Sequence, residues 1–392
     1  MRIGGFGAPL RAAVLALAVA ACGQPSDFGA ALDDAVDEGF PGVVLYVRTG
    51  TYTWVGARGV ADLATRTPLA VDDRMLLVRS AHPLVAAAVL QLVNENKARL
   101  DGAVAQYTGL DVLYGVPDAQ RITVQHALTH TSGLRDPYGF AAFQEDVLGR
   151  GADTSRAWTP KDVLAYLGRP GHRPTFPPGQ GVRYSPANTV ALGLLLENVG
   201  GEPVATALQA RVFARAGMPH TILGGAPDVV PGYAILPKSQ IDAGVNERVV
   251  RAGDFYDVAV VTAAFGGIGA GIATTAEDLG HFLDALFAGR IVSPALLEQM
   301  RNAKTAPALL DTGAEVRFGL GLAERLTADS GLVIGFEGAG YGYTTLAYRV
   351  PELDITVVLL ANASGPDLSL SDALEAVLRL AKAGDKRAFG VR

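Results

Sequence analysis

Apolar and polar positions divide the chain into blocks of distinct period. Val43 to Val47 is a short apolar, β-branched run, and Thr51 to Val55 follows directly after Arg48-Thr49-Gly50. Two such runs around a glycine turn predict a hairpin. From Pro83, a favourable first-turn residue, Val85, Ala88, Val89, Leu92 and Val93 recur at helical spacing through to Lys97. Ala86, Ala87 and Leu90 make this segment apolar on more than one side, which predicts a central, buried helix. Residues from roughly 100 to 300 alternate helical patterns with Gly/Pro-rich loops such as Gly168 to Gly181. Beyond Phe318, the runs Leu332-Val333-Ile334, Tyr343 to Val350 and Ile355 to Leu360 read as strands, and Leu368 to Ala383 closes as an amphipathic helix. Strands at both ends with a helical middle predict an α+β architecture. One antiparallel sheet is built from N- and C-terminal strands and flanked by helices, and a mostly helical region is inserted.

The first 21 residues have another pattern. Met1-Arg2 and Arg11 carry positive charge, Ala12 to Ala20 is apolar, and Val19-Ala20-Ala21 ends in small residues. This is the build of a secretion signal, too short to span a membrane. Val-Ala-Ala-Cys is similar to a bacterial lipobox, in which Cys22 becomes the acylated first residue. The expectation is an exported protein, anchored through Cys22 in the periplasm or at the outer membrane. Gly23, where Asp would favour retention at the inner membrane, points to the outer one. Gln24 to Phe28 reads as a tether, and residues 22–35 are assigned to the lipidated cysteine and tether, with residues 36–392 as the main domain. Cys22 is the chain's single cysteine, so no disulfide can form within it.

Composition narrows the function classes. A hydrophobic content of 49% against 18% charged residues supports a packed body, not a disordered one. The net charge of −6, without a Lys/Arg block, argues against nucleic acid as a partner. Gly267-Ile268-Gly269-Ala270-Gly271 is not a dinucleotide fingerprint, and neither a phosphate-binding P-loop nor a G-x-S-x-G elbow occurs. No cofactor is expected. His126 and His130 have a spacing that clamps a metal on a helical face, but no carboxylate lies between them, and no metal site is expected.

Several segments, in order, resemble the landmarks of one known superfamily. Thr123 to Leu134 (TVQHALTHTSGL) is similar to its HTSGL segment. Phe176-Pro177-Pro178-Gly179 followed by Val182-Arg183-Tyr184-Ser185 resembles the approach to its tyrosine motif. Gly193 to Glu197, Gly217 to Thr221, Gly266-Gly267 with Thr274 to Leu279, and Phe318-Gly319-Leu320-Gly321 match further landmarks. Together these segments resemble the serine β-lactamase, D,D-peptidase and class C-like esterase superfamily, which implies the β-lactamase/transpeptidase-like fold. In active members a Ser-x-x-Lys pair opens the buried helix, a Tyr-x-Asn motif supplies a phenol and an amide, and a Lys- or His-x-Gly strand flanks the oxyanion site.

This chain departs from all three. Laid without a gap, the resemblance sets Arg79 at the nucleophile and His82 at the lysine. An arginine stays protonated and is no nucleophile. Tyr184 is kept, but Pro186 stands where Asn belongs, with Asn188 two residues on. Phe336-Glu337-Gly338 replaces the third motif, keeping only Gly338. Ser80 could serve as a nucleophile if the chain slipped by one residue, but its partner three residues on would be Pro83; the plainer expectation is a serine capping the helix. Glu337 is expected in solvent, or else as a new catalytic acid or an anchor for Arg79, which could alternatively bind a carboxylate or phosphate.

These departures imply a cell-envelope lipoprotein without acyl-enzyme chemistry, binding or scaffolding near peptidoglycan, with peptidoglycan-type peptides or small carboxylates as partners. The alternative is a serine hydrolase of esters, β-lactams or peptides that uses a rearranged Ser80, His82 and Tyr184. A third possibility is an interaction module whose old cleft is filled by Arg79 and Phe336.

Overall fold

The N-terminal apolar runs and the C-terminal ones meet in one sheet. The structure, a computed structural model, describes residues 27–384 except 51, 110, 225–227, 260, 262–266, 270, 303 and 329. The expected secretion signal and Cys22 lie outside the described residues. The sheet comprises β1 (Gly42–Thr49), β2 (Tyr52–Gly59), β3 (Ala308–Leu309), β4 (Glu315–Phe318), β5 (Ala323–Thr327), β6 (Gly331–Gly340), β7 (Tyr343–Val350) and β8 (Ile355–Ala361). Its spatial order is β2-β1-β8-β7-β6-β5-β4-β3, antiparallel throughout. The expected hairpin is β1–β2, and the three expected C-terminal strands are β6, β7 and β8.

Both faces of the sheet are covered, and alternation along the strands shows it. Val43, Leu45 and Val47 pack with Phe28, Leu32, Leu374 and Val377 of α1 (Phe28–Asp37) and α5 (Ser371–Lys382). Val44 and Tyr46, one residue out of phase, belong to the larger core on the other face, together with α2 (His82–Asn94), α3 (Pro186–Gly200) and α4 (Ala276–Phe287). Residues 28–35, expected as tether, are instead the first helix of the body. Asp27 caps its start, accepting from the Ala30 N–H at 2.8 Å, and Phe28, Ala31, Leu32 and Ala35 put one buried stripe against the sheet.

Helix α2 is buried along its whole first three turns, from His82 to Leu92. Leu84, Val85, Val89, Leu90 and Leu92 are fully inaccessible, and each contributes roughly 1.5–3 kcal/mol of burial. The helix stops at Asn94, short of the expected Lys97, because Asn96 adopts a left-handed φ of 56° and turns the chain. Apolar periodicity runs past this end since Ala98 remains in the core.

The expectation of a mostly helical insert also missed small strands. Ile222–Leu223 and Ile272–Thr274 pair with each other, and Ile272–Thr274 pairs in turn with Met75–Leu76, while Tyr233–Ala234, Val250–Ala252 and Phe255–Asp257 join Ala363–Ser364. Strands of two or three residues are too short to leave a period-two signal. The first of these sheets positions the candidate site: with Leu77 N–H bonded to the Ile272 carbonyl at 2.8 Å, it delivers Arg79 to the start of α2.

Candidate active centre

Arg79 stands at the turn between the Met75–Leu76 strand and α2 with φ 60°, a left-handed backbone rare outside glycine. Two contacts fix it. The Tyr184 hydroxyl donates to the Arg79 carbonyl. Gly338 of β6 presses on the same peptide: a Cβ there would stand 2.7 Å from the Arg79 oxygen. Tyr184 and Gly338, the two positions that the resemblance keeps, therefore both converge on Arg79. Burial pushes the Tyr184 phenol far above its ordinary range, so it is a proton donor and not a base.

The Arg79 side chain runs into an acidic clasp. Its Nη2 lies 2.5 Å from Asp136 Oδ2, and its Nη1 pairs with Asp311. Burial opposes the guanidinium charge, but Asp136 and Asp311 outweigh it and hold the group protonated above its ordinary value. Burial likewise raises the Asp136 carboxyl, with Asp311 adding to the rise and Arg79 opposing it. The Nε is buried and has no hydrogen-bond partner. Asp136 comes from the loop after the HTSGL segment, and Asp311 from the tip of the β3–β4 hairpin, so Arg79 ties together two walls of the cleft. No sequence signal links these residues, since neither acid lies in a motif and Asp311 is 232 positions away.

Glu337 is neither solvated nor the anchor of Arg79. It is 4% exposed and turned to the other side of the sheet. There it accepts from Arg325 Nη1 at 2.8 Å, from the Tyr348 hydroxyl at 2.6 Å, and from the Thr312 hydroxyl. Alternation puts Phe336 on the cleft side, edge-on to Phe282 of α4 at 6.2 Å between centroids.

The two buried histidines have tautomers fixed by their partners. His82 Nε2 is 3.1 Å from the Leu128 carbonyl, which can only accept, so Nε2 carries the proton and Nδ1 accepts from the Thr189 hydroxyl at 2.9 Å. His130 Nδ1 accepts from the Ser185 backbone N–H at 3.3 Å and from the Asn188 amide at 3.0 Å, so its proton also sits on Nε2. The rings lie 4.2 Å apart. Burial pushes His82 down to about 4 and His130 well below its ordinary value, so both are neutral at pH 7. The short helix Val124–Leu128 ends before His130, which has φ 55°, so His126 and His130 do not share a helical face. Among the described residues no cluster of His, Cys, Asp or Glu is placed to hold a metal.

Ser80 does not cap α2. The cap position is Ala81, without a side-chain bond, and the Ser80 hydroxyl is buried with no partner. Pro186 occupies the first turn of α3, capped by Ser185, whose hydroxyl accepts from the Ala187 N–H at 3.2 Å. Asn188, one turn in, spends its amide on His130 and on the Ser132 hydroxyl at 2.7 Å. The open space at this centre is a cavity of about 20 Å³, lined by Arg79, Ser80, His82, His130, Tyr184 and Phe336 among others. That is room for about one water molecule and not for a substrate. A larger cleft of about 700 Å³, which no pattern along the chain signals, opens beyond Phe318 and is lined by Gln125, His126 and Gln299 among others.

Comparison with known proteins agrees with this architecture. The Beta-lactamase family model matches residues 28–382. Esterase EstB of Burkholderia gladioli is 28% identical over 363 residues, which cover 85% of this chain and 90% of the esterase. Penicillin-binding protein 4* of Bacillus subtilis is 24% identical over 329 residues, 82% of this chain and 68% of that protein. Among solved structures, a D-stereospecific amidohydrolase from Streptomyces sp. superposes with a TM-score of 0.72 at 26% identity, covering 89% of this chain and 97% of that one. The D-amino acid amidase from Ochrobactrum anthropi SV3 shares the fold, with a TM-score of 0.76 at 23% identity over 92% of this chain and 98% of the amidase. With the family match spanning nearly the whole described body, the chain belongs to the Beta-lactamase family, a superfamily of serine hydrolases.

Proposed function

We propose that this chain is a non-catalytic member of its family, which keeps the fold and uses it for binding or scaffolding in the cell envelope. One observation carries the reading: neither buried histidine has a lone pair free to activate a nucleophile. Arg79 is a paired cation, His82 Nδ1 accepts from Thr189, His130 Nδ1 accepts from Ser185 and Asn188, and Tyr184 donates to a carbonyl. Ser80 therefore has a hydroxyl and no base, and in serine hydrolases losing one member of the catalytic set costs roughly 10⁴–10⁶ in rate. The closed cavity and the core position of Phe336 also fit an interaction module with a filled cleft.

The envelope location rests on the signal-like first 21 residues and the lipobox-like Val19 to Cys22. A lipid anchor through Cys22 would be checked by palmitate labelling of the wild type and of Cys22→Ser. Peptidoglycan-type peptides and small carboxylates are the proposed ligands.

The second reading is a serine hydrolase using Ser80, His82 and Tyr184, and the esterase and amidase relatives favour it. Intact mass after incubation with a fluorescent penicillin and with a fluorophosphonate separates the two. The non-catalytic reading expects no adduct on a chain with a folded circular dichroism spectrum. A stoichiometric adduct lost in Ser80→Ala overturns it.

A further inference from the structure

The two acids that hold Arg79 are not equivalent. Asp136 has an 18% exposed side chain, and its second oxygen accepts from the Tyr138 N–H at 2.8 Å, so it is built into the turn that follows it. Asp311 is 56% exposed and reaches in from the tip of an edge hairpin. The tip is the exposed end of that hairpin. Strand β3 has two residues, paired only as Leu309 with Glu315 and Ala308 with Val316, and the tip adds the Thr312–Glu337 bond. Its base is buried, with Ala308, Ala314 and Val316 in a cluster with Phe318 and Ala323, so local opening is confined to the tip, where Asp311 and Gly313 are exposed and Leu310 is the buried contact to be given up.

We propose that Arg79 is a receptor for a monocarboxylate ligand and that Asp311 is the chain's own substitute for that carboxylate, displaced when the ligand binds. The proposal rests on the non-catalytic reading, because it needs Arg79 as a binding group. Charge selects the ligand class. Arg79, Asp136 and Asp311 sum to −1, and exchanging Asp311 for another monocarboxylate leaves that sum unchanged while returning Asp311 to water. Adding an anion without displacement would raise the excess, and a phosphate dianion would raise it even after displacement. Guanidinium and carboxylate are matched in planar geometry, and Arg79 keeps a further donor in its unpartnered Nε. Lifting the tip also removes Leu310 from the small cavity, exposing Phe336 and Phe318 to an apolar group attached to the carboxylate. The ligand is thus a carboxylate beside a small apolar substituent, as at a peptide C-terminus.

A tethered acid competes at an effective concentration in the millimolar range, so the wild type should bind a free carboxylate weakly. Asp311→Asn removes the competitor and keeps the shape. N-acetyl-D-alanine and its L-enantiomer would be titrated by NMR at pH 7 into the wild-type chain lacking residues 1–22, into Asp311→Asn and into Arg79→Met, with inorganic phosphate as a parallel arm. The expected result is binding about tenfold tighter in Asp311→Asn, none in Arg79→Met, and none for phosphate. Should Arg79→Met fail to fold, the Arg79→Met/Asp136→Asn pair, which leaves no buried charge unmatched, takes its place. Equal or absent binding in wild type and Asp311→Asn, retained binding without Arg79, or preference for phosphate overturns the proposal. A fluorophosphonate adduct at Ser80 would sink the non-catalytic reading and is scored with a probe that carries no carboxylate, whereas the titrations score the exchange of Asp311 for a carboxylate at Arg79 by itself.

Discussion

A Cβ on Gly338 would stand 2.7 Å from the carbonyl oxygen of Arg79 and 2.8 Å from its carbonyl carbon. Strand β6 can approach the start of α2 only because that position is glycine, and the contact is between two backbones, neither of which can swing aside. Gly338→Ala is therefore expected to cost about 1–3 kcal/mol, as overpacking does in dense interiors. Gly151 is the control: a Cβ there would meet no heavy atom within 4 Å, and its φ lies outside the left-handed region, so Gly151→Ala should be close to neutral. Urea denaturation of the two variants checks this; equal stability would mean that the strand does not press on Arg79.

Arg79 in turn holds the Asp136 carboxylate, which would otherwise be largely buried without a counter-charge. Arg79→Met is expected to destabilise by about 3 kcal/mol, the scale for removing one side of a largely buried pair. In Arg79→Met/Asp136→Asn the buried charge is gone as well, and most of that loss should return. Asp311→Asn touches an acid that is mostly in water and should cost under about 1 kcal/mol. A double-mutant cycle by urea denaturation measures the coupling, and additive costs at positions 79 and 136 would show that the clasp does not hold the centre together.

The pattern of periods makes the sheet and α2 legible, because a strand covered on both faces and a helix buried all round leave long apolar runs. The departures at Arg79, His82, Pro186 and Phe336 are legible because neighbouring segments resemble the family in register. The groups that surround Arg79 are not. Asp136 and Asp311 sit in loops of ordinary composition, and only the fold brings them to Arg79. Glu337 reads as a solvated carboxylate, since nothing local reveals that Arg325 and Tyr348 lie across neighbouring strands. Ser80 reads as a cap because Ser before a helix commonly is one, and only the register of the helix, which starts at His82 and makes Ala81 the cap residue, denies it that role. The helix at Phe28–Asp37 is hidden by its closeness to the lipobox-like cysteine, although Phe28, Ala31, Leu32 and Ala35 carry helical spacing.

The neutral histidines give the fold a defined acid sensitivity. His82 is pushed down to about 4 by burial, whereas in the unfolded chain it titrates near the ordinary 6.5. Between those values the unfolded chain binds the proton and the folded one does not, so stability falls as pH is lowered from about 6.5 toward 4. The slope approaches about 1.4 kcal/mol per pH unit for each such group, and His130 adds to it in the same direction. Asp136, raised by burial, works the other way, so the variant comparison is the informative one. Thermal midpoints of wild type and His82→Gln from pH 7 to 5 should show a shallower loss in the variant, and parallel curves would mean that His82 is already protonated in the folded protein.

Glu337 offers a last test, on the face of β6 away from the cleft. Its side chain is fully buried and paired with Arg325, whose own side chain is 10% exposed. The other bonds to the carboxylate come from Tyr348 and Thr312. Glu337→Ala leaves the Arg325 cation without its counter-charge, with the Ser371 hydroxyl at 3.0 Å and Tyr348 as neutral side-chain partners, and a loss of about 3–5 kcal/mol is expected. Glu337→Gln keeps an oxygen for Tyr348 and Arg325 and removes only the charge, so it should fall between the wild type and the alanine variant. Because Thr312 belongs to the same hairpin tip as Asp311, Glu337→Ala should also loosen the tip. Faster amide hydrogen exchange at residues 310–313 would register it. Exchange unchanged there, beside a stability within about 0.5 kcal/mol of wild type, would return Glu337 to the role of an ordinary surface acid.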